Sequence, residues 1–177
     1  MLRNVPGRML LPALLAALAA CGGQSGEAAE TQATAPAAPP AAAAAQSATA
    51  VPADSPLVVV YKSPTCGCCN KWVEHMKQNG FRVESHDTAS VDPIKDQAGV
   101  PVAARSCHTG LVGGYAIEGH VPADVIRRLL REHPGDIAGL AVPGMVTGSP
   151  GMEGPNPEHY DIVAFTKDGQ TRVYESR

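Results

Sequence analysis

Three cysteines fall within four positions in Cys66-Gly67-Cys68-Cys69. Cys66 and Cys69 form a Cys-x-x-Cys pair, the spacing that supports thiol–disulfide exchange. Cys68 complicates that chemistry, because a third thiol competes for the mixed disulfide. It cannot pair with its neighbour Cys69 without severe backbone strain. As ligands, the three make more sense. The turn is too tight for all of them to complete one unstrained tetrahedron, but bridging thiolates can share several ions. Dense, soft thiolates select Cu(I), so the triplet predicts a small copper–thiolate cluster holding more than one ion.

Cys107, in Arg-Ser-Cys-His-Thr-Gly, is the natural fourth thiolate, since charged Arg105 and His108 flank it and argue against a greasy pocket. His108 and His120 are candidates for the surrounding shell, as is Pro101. Met145 and Met152 add soft thioethers in a loop crowded with glycine and proline. The remaining histidines, His75, His86, His133 and His159, are assigned to the surface or to local structure. Zinc is the standard rival for four cysteines, but its usual pattern is two Cys-x-x-Cys pairs, not a triplet and a singleton. An iron–sulfur centre would need assembly outside the cytoplasm. No catalytic residue is assigned.

These residues need elements to position them. Leu57–Lys62 is a valine-rich buried strand. A helix follows from Cys66 to about Asn79, with Cys69, Trp72, Val73 and Met76 on one apolar face and Gly80 as its stop. Cys69 should therefore point inward and Cys66 outward, at a helix N-terminus that favours thiolate. Phe81–Asp87 reads as a second strand, parallel to the first. Asp92 caps a short helix with Pro93 at its first position. The stretch from Val100 to Val121 suggests two antiparallel strands. Pro122 opens a helix carrying Val125, Ile126, Leu129 and Leu130. Ala138 to Pro157 is a loop, and the C-terminal segment is a hairpin turning at Asp168-Gly169. The order resembles a thioredoxin-like α/β fold with an added C-terminal β-hairpin. By that resemblance Pro101 should be the cis proline facing the cysteines.

The chain of 177 residues is not all domain. Arg3 and Arg8 precede an apolar run, Met9 to Ala20, too short to span a bilayer. Residues 1–20 read as a signal peptide. Leu18-Ala19-Ala20-Cys21 resembles the lipobox of bacterial lipoproteins, which implies lipidation of Cys21. The residue after Cys21 is not aspartate, which points to the outer membrane. Residues 21–55 form a lipid-bearing, Ala/Pro-rich disordered tether that cannot bury enough surface to order itself. Residues 56–177 form one metal-binding domain. A net charge of −3 carries no nucleic-acid signature. With Cys21 lipidated, four of the five cysteines remain in an oxidising compartment. The expected location is the periplasm, with membrane contact only through the N-terminal lipid.

Three segments together, Tyr61 to Phe81, Gly99 to Leu130 and Gly139 to Gly154, resemble the CopG-like copper-resistance proteins of bacteria, a former domain of unknown function. The resemblance covers Leu57 to Arg177. It implies a thioredoxin-like fold, a periplasmic location and copper binding by Cys66, Cys68, Cys69 and Cys107. The expected function is Cu(I) holding at the cell envelope for copper tolerance, with redox cycling of copper as an enzymatic extension. Other envelope copper-handling proteins are the expected partners. A thioredoxin-type oxidoreductase using Cys66 and Cys69 is the alternative, and a zinc module that docks a partner is a third reading. The oxidoreductase needs neither Cys68 nor Cys107, whereas the copper cluster uses both.

Overall fold

A computed structural model describes residues 52–177. The export segment, Cys21 and most of the tether lie outside the described residues.

Seven strands form one mixed sheet in the order β2-β1-β3-β4-β5-β6-β7. β1 (Leu57–Lys62) and β2 (Arg82–Asp87) pair in parallel, joined by α1 (Gly67–Gln78). α2 (Asp92–Gln97) and a 3-10 turn (Val102–Ala104) lead to the antiparallel hairpin β3 (Thr109–Val112) and β4 (Tyr115–Glu118). β3 runs antiparallel to β1 on its other side. After α3 (Ala123–Glu132) come β5 (Gly139–Ala141), β6 (Asp161–Phe165) and β7 (Thr171–Ser176).

Side-chain alternation along the strands gives the sheet two different faces. Val58, Val60, Ile117, Leu140 and Ile162 join Trp72, Val73 and Met76 of α1 and Val125, Ile126 and Leu129 of α3 in the larger core. Trp72, fully buried, donates its indole N–H to the Val121 carbonyl at 2.9 Å. The opposite face carries a smaller cluster of Val100, Ala104, Ala116, Ala141 and Phe165. α1 ends as expected: Gly80 takes φ +76°, the Phe81 N–H reaches back to the Met76 carbonyl at 3.1 Å, and the Phe81 ring is buried.

Four expectations need correction. Pro101 is trans, because the described residues contain no cis peptide. It leads into the 3-10 turn at φ −59° and ψ 143°, not into a strand, and a trans proline suits that start. The strands of the following hairpin are accordingly shorter than the stretch from Val100 to Val121, and Cys107 lies in the turn before β3. Asp92 is the first helical residue, not the cap; Val91 occupies that position and no side chain caps α2. The loop from Ala138 contains β5, which pairs parallel with β4 and antiparallel with β6. Three residues, one of them glycine, are too few to show a period. Yet they fasten the C-terminal hairpin to the rest of the sheet.

A cysteine and histidine cluster at the start of the first helix

β1 delivers the chain to Ser63, and α1 starts at Gly67 with Cys66 as its cap. The Cys66 sulfur accepts the Cys69 N–H at 3.3 Å, taking the role that a serine oxygen plays at other helix starts. No acidic residue occupies the first turn, so nothing there offsets the positive end of the helix dipole, which favours thiolates. Cys69 is fully buried on the Trp72 face, whereas Cys66 and Cys68 are partly exposed. The orientations expected from the apolar stripe are therefore observed.

Cys66 and Cys69 are joined as a disulfide, and Cys68 and Cys107 are free. The Cys68 sulfur lies 3.5 Å from that of Cys66, and the Cys107 sulfur 3.4 Å from that of Cys69. All four sulfurs lie within 4.8 Å of one another. Each end of the disulfide thus has a free thiol beside it. Burial, followed by the proximity of Cys68, pushes the Cys107 thiol up to about 11.

Cys107 also touches both expected histidines. His120 Nδ1–H donates to the Pro150 carbonyl at 2.8 Å, which leaves Nε2 as an acceptor, 3.1 Å from the Cys107 sulfur. Burial lowers the His120 pKa, which keeps the ring neutral. His108 Nδ1 lies 3.3 Å from the same sulfur. Its ring is wholly buried between Trp72, 4.5 Å away by ring centroids, and His120, 5.0 Å away edge-on. Burial holds its pKa well below the ordinary range, and His120 and Lys95 push the same way. His108 Nε2 has no hydrogen-bond partner. Cys107, His108 and His120 form a second close donor group that shares Cys107 with the first.

The loop after β5 covers this corner. The Gly144 N–H donates to the Arg105 carbonyl at 3.1 Å, and the Ser106 hydroxyl donates to the Gly144 carbonyl. Pro150 holds His120, as above. Gly151, at φ +86°, lies flat on the first turn of α1: a Cβ there would stand 2.8 Å from the Cys68 carbonyl oxygen and 2.8 Å from the Trp72 nitrogen. Only glycine permits that approach without a shift. Met145 and Met152 directly follow Gly144 and Gly151, so each sits beside a residue in contact with the cluster's supports. The Met145 side chain is 55% exposed. Pro101 is separated from Cys107 by the 3-10 turn, Arg105 and Ser106. His75 accepts the Ala123 N–H at 3.2 Å, His86 stacks on Tyr61, His133 ends α3 in a left-handed conformation, and His159 is exposed.

Lys95 and Glu118 went unnoticed in the sequence. Glu118 is fully buried and Lys95 nearly so, with Lys95 Nζ 2.5 Å from Glu118 Oε1. In sequence they look like ordinary surface charges on a short helix and a strand. The one available signal was Glu118 at an inward-reading end of an otherwise apolar strand.

A family model described as a protein of unknown function, DUF411, matches residues 104–152. No curated protein matches the chain. A solved structure titled copper resistance protein copG, form 2, is 40% identical with a TM-score of 0.66, and the match covers 70% of this chain and 99% of that one. A second, form 1, is 41% identical with a TM-score of 0.64, covering 68% and 96%. With nearly the whole of those structures matched at about 40% identity, and with Cys66, Cys68, Cys69 and Cys107 of this chain brought together in space, the chain belongs to the DUF411 family, the family of the copper resistance protein CopG.

Proposed function

We propose that the reduced protein binds Cu(I) through Cys66, Cys68, Cys69 and Cys107 at the bacterial cell envelope and thereby contributes to copper tolerance. The observation that carries this reading is the approach of Cys107 to within 3.4 Å of Cys69 across 38 positions of sequence. A disulfide exchanger needs only the Cys66–Cys69 pair, whereas a soft-metal site uses all four sulfurs. The donor set fits Cu(I): thiolates crowded at one helix start, close enough to bridge, with a neutral imidazole nitrogen on His120 beside them. The copper resistance protein CopG, to which the chain is similar, supports the choice of ion. In the oxidised form two sulfurs are tied to each other, so copper binding first requires a two-electron reduction that yields the Cys66 and Cys69 thiols. Binding then displaces protons, including the one on Cys107.

The order β2-β1-β3-β4 with α1 and α3 over one face supports a thioredoxin-like reading of the first four strands, with β5–β7 as an extension. That reading, and the Cys66–Cys69 disulfide at a helix N-terminus, keep a thiol–disulfide oxidoreductase as the second reading. Titration of the reduced protein with Cu(I) against a competing chelator, with insulin reduction measured in parallel, separates the two. Tight binding of more than one ion, with weak insulin reduction, is expected. Efficient insulin reduction with no Cu(I) retained would overturn the copper reading.

We place the protein in the periplasm as a lipoprotein anchored at Cys21, on the strength of the export segment and the Leu18–Cys21 motif. Cys21→Ser should move the protein from the membrane to the soluble fraction. Continued membrane association of that variant would exclude lipid anchoring.

A further inference from the structure

We propose that Glu118 is a positioning residue for the copper cluster, holding the Ser106–Thr109 turn so that Cys107 faces the three cysteines of α1. The inference rests on the copper reading above but adds a residue outside the donor set.

Cys107 lies between the 3-10 turn and β3, beyond the last backbone bond of the β3–β4 hairpin, which His108 receives. Glu118 grips the segment on both sides. Its Oε1 accepts the Ser106 N–H at 2.6 Å, just before Cys107, and its Oε2 accepts the Thr109 hydroxyl at 2.7 Å, just after His108. Lys95, reaching across from α2, donates to Oε1 at 2.5 Å and to the Thr109 hydroxyl at 3.1 Å. The next residue, Gly119, donates its N–H to the His108 carbonyl at 2.9 Å. It also packs so closely on Ser106 that a Cβ would lie 2.5 Å from the Ser106 side chain. His120 follows, with Nε2 on the Cys107 sulfur. One short run, Glu118 to His120, therefore sets the place of Cys107 through the residues on either side of it and through its own sulfur.

Stability alone does not account for this pair. Apolar residues of similar volume often replace a buried ion pair at no loss. An apolar side chain, however, cannot accept the Ser106 N–H and the Thr109 hydroxyl together. The carboxylate geometry is specific to holding this turn, and the turn's function is to present Cys107.

The test is a thermodynamic cycle on the reduced full chain: wild type, Glu118→Gln, Cys107→Ser and the double variant, each titrated with Cu(I) against a chelator. If Glu118 acts through Cys107, Glu118→Gln should weaken binding by about tenfold or more in the wild-type background, a loss typical of supporting-shell changes. On top of Cys107→Ser it should cost less than about threefold. Equal losses in both backgrounds, or no loss in either, would overturn the proposal. A copper-free arm measures alkylation of Cys107 and Cys68 by iodoacetamide in the reduced protein. Glu118→Gln should change the Cys107 rate by about threefold or more and leave Cys68 unaffected. Unchanged Cys107 reactivity would refute the positioning role. If the wild type holds no Cu(I), the copper reading fails, and this arm still decides the placement of Cys107. Thr109→Val, which removes the hydroxyl's contacts with Glu118 and Lys95 and keeps the ion pair, should shift both readouts in the same direction if Glu118→Gln does not fold.

Discussion

The two sides of the cysteine cluster are built on different physics. On one side, Cys66, Cys68 and Cys69 ride on the first turn of α1. Their placement follows from the backbone: a strand ends, a cap forms, and the helix period turns Cys69 inward. On the other side, Cys107 sits in a turn with no ladder of its own. A buried carboxylate, a buried lysine and a loop folded over from residues 144–151 hold it there. Local structure tolerates conservative change, whereas a turn held by scattered side chains fails when any one of them goes. The α1 side should therefore be robust to substitution and the Cys107 side fragile.

The sharpest contrast is between Glu118→Leu and Cys66→Ser in the reduced, metal-free protein. Removing Glu118 strands the Lys95 ammonium in the interior, and breaking such a pair costs about 3–5 kcal/mol. Serine at Cys66 preserves the cap, so that variant should stay within about 1 kcal/mol of wild type. Urea denaturation of both proteins tests this. Similar midpoints would erase the distinction between the two sides.

Acid should strike the Cys107 side next. Burial lowers the pKa values of His108 and His120, both on the Cys107 side, below the ordinary 6.5. The unfolded chain then binds more protons than the folded one below that pH. Stability is fully present above pH 6.5 and falls as the pH drops toward the folded values. The wholly buried His108, held furthest below the ordinary range, should contribute the most to that loss between pH 7 and pH 5. Denaturation midpoints of the metal-free protein across that range give the slope, and a flat profile would show that these rings are not buried neutral.

Gly151→Ala should have a smaller effect. The new methyl meets two backbone atoms of α1 from a left-handed conformation, at a cost of order 1–3 kcal/mol, and the loop should lift off His120 and α1. Thermal unfolding measures the loss. A wild-type melting temperature would mean the covering loop does not bear on the site.

How much of this was legible in the sequence follows the same divide. The cysteine triplet, the inward turn of Cys69, the parallel β1–β2 unit and the C-terminal hairpin all come from short-range patterns, and the structure agrees with each. Cys107, His108 and His120 could be nominated by residue type, but their distances depend on β3–β4 pairing and on Pro150, 30 positions beyond His120. Pro101 was misread because an X-Pro step looks alike before a strand and before a 3-10 turn. β5 was hidden in a glycine-rich stretch, since its three residues gain their meaning from strands on either side. Lys95 carries no sequence sign of burial, and Glu118 only its place at the end of an otherwise apolar strand. Nothing local distinguishes a charge that finds its partner in the core from one that stays in water.

The central claim is that sulfurs from both sides bind copper together, and Cys107→Ser tests it most directly. Serine keeps the size of the side chain and can still hydrogen-bond His120, but it replaces a soft thiolate with a hard hydroxyl. Cu(I) affinity and stoichiometry, measured against a competing chelator, should be read beside the urea midpoint of the metal-free variant. The account predicts a loss of affinity of at least roughly 10–100-fold, or fewer ions held, with metal-free stability nearly unchanged. Intact copper binding together with a stability loss of about 1–3 kcal/mol would make Cys107 a packing residue and contradict the shared cluster.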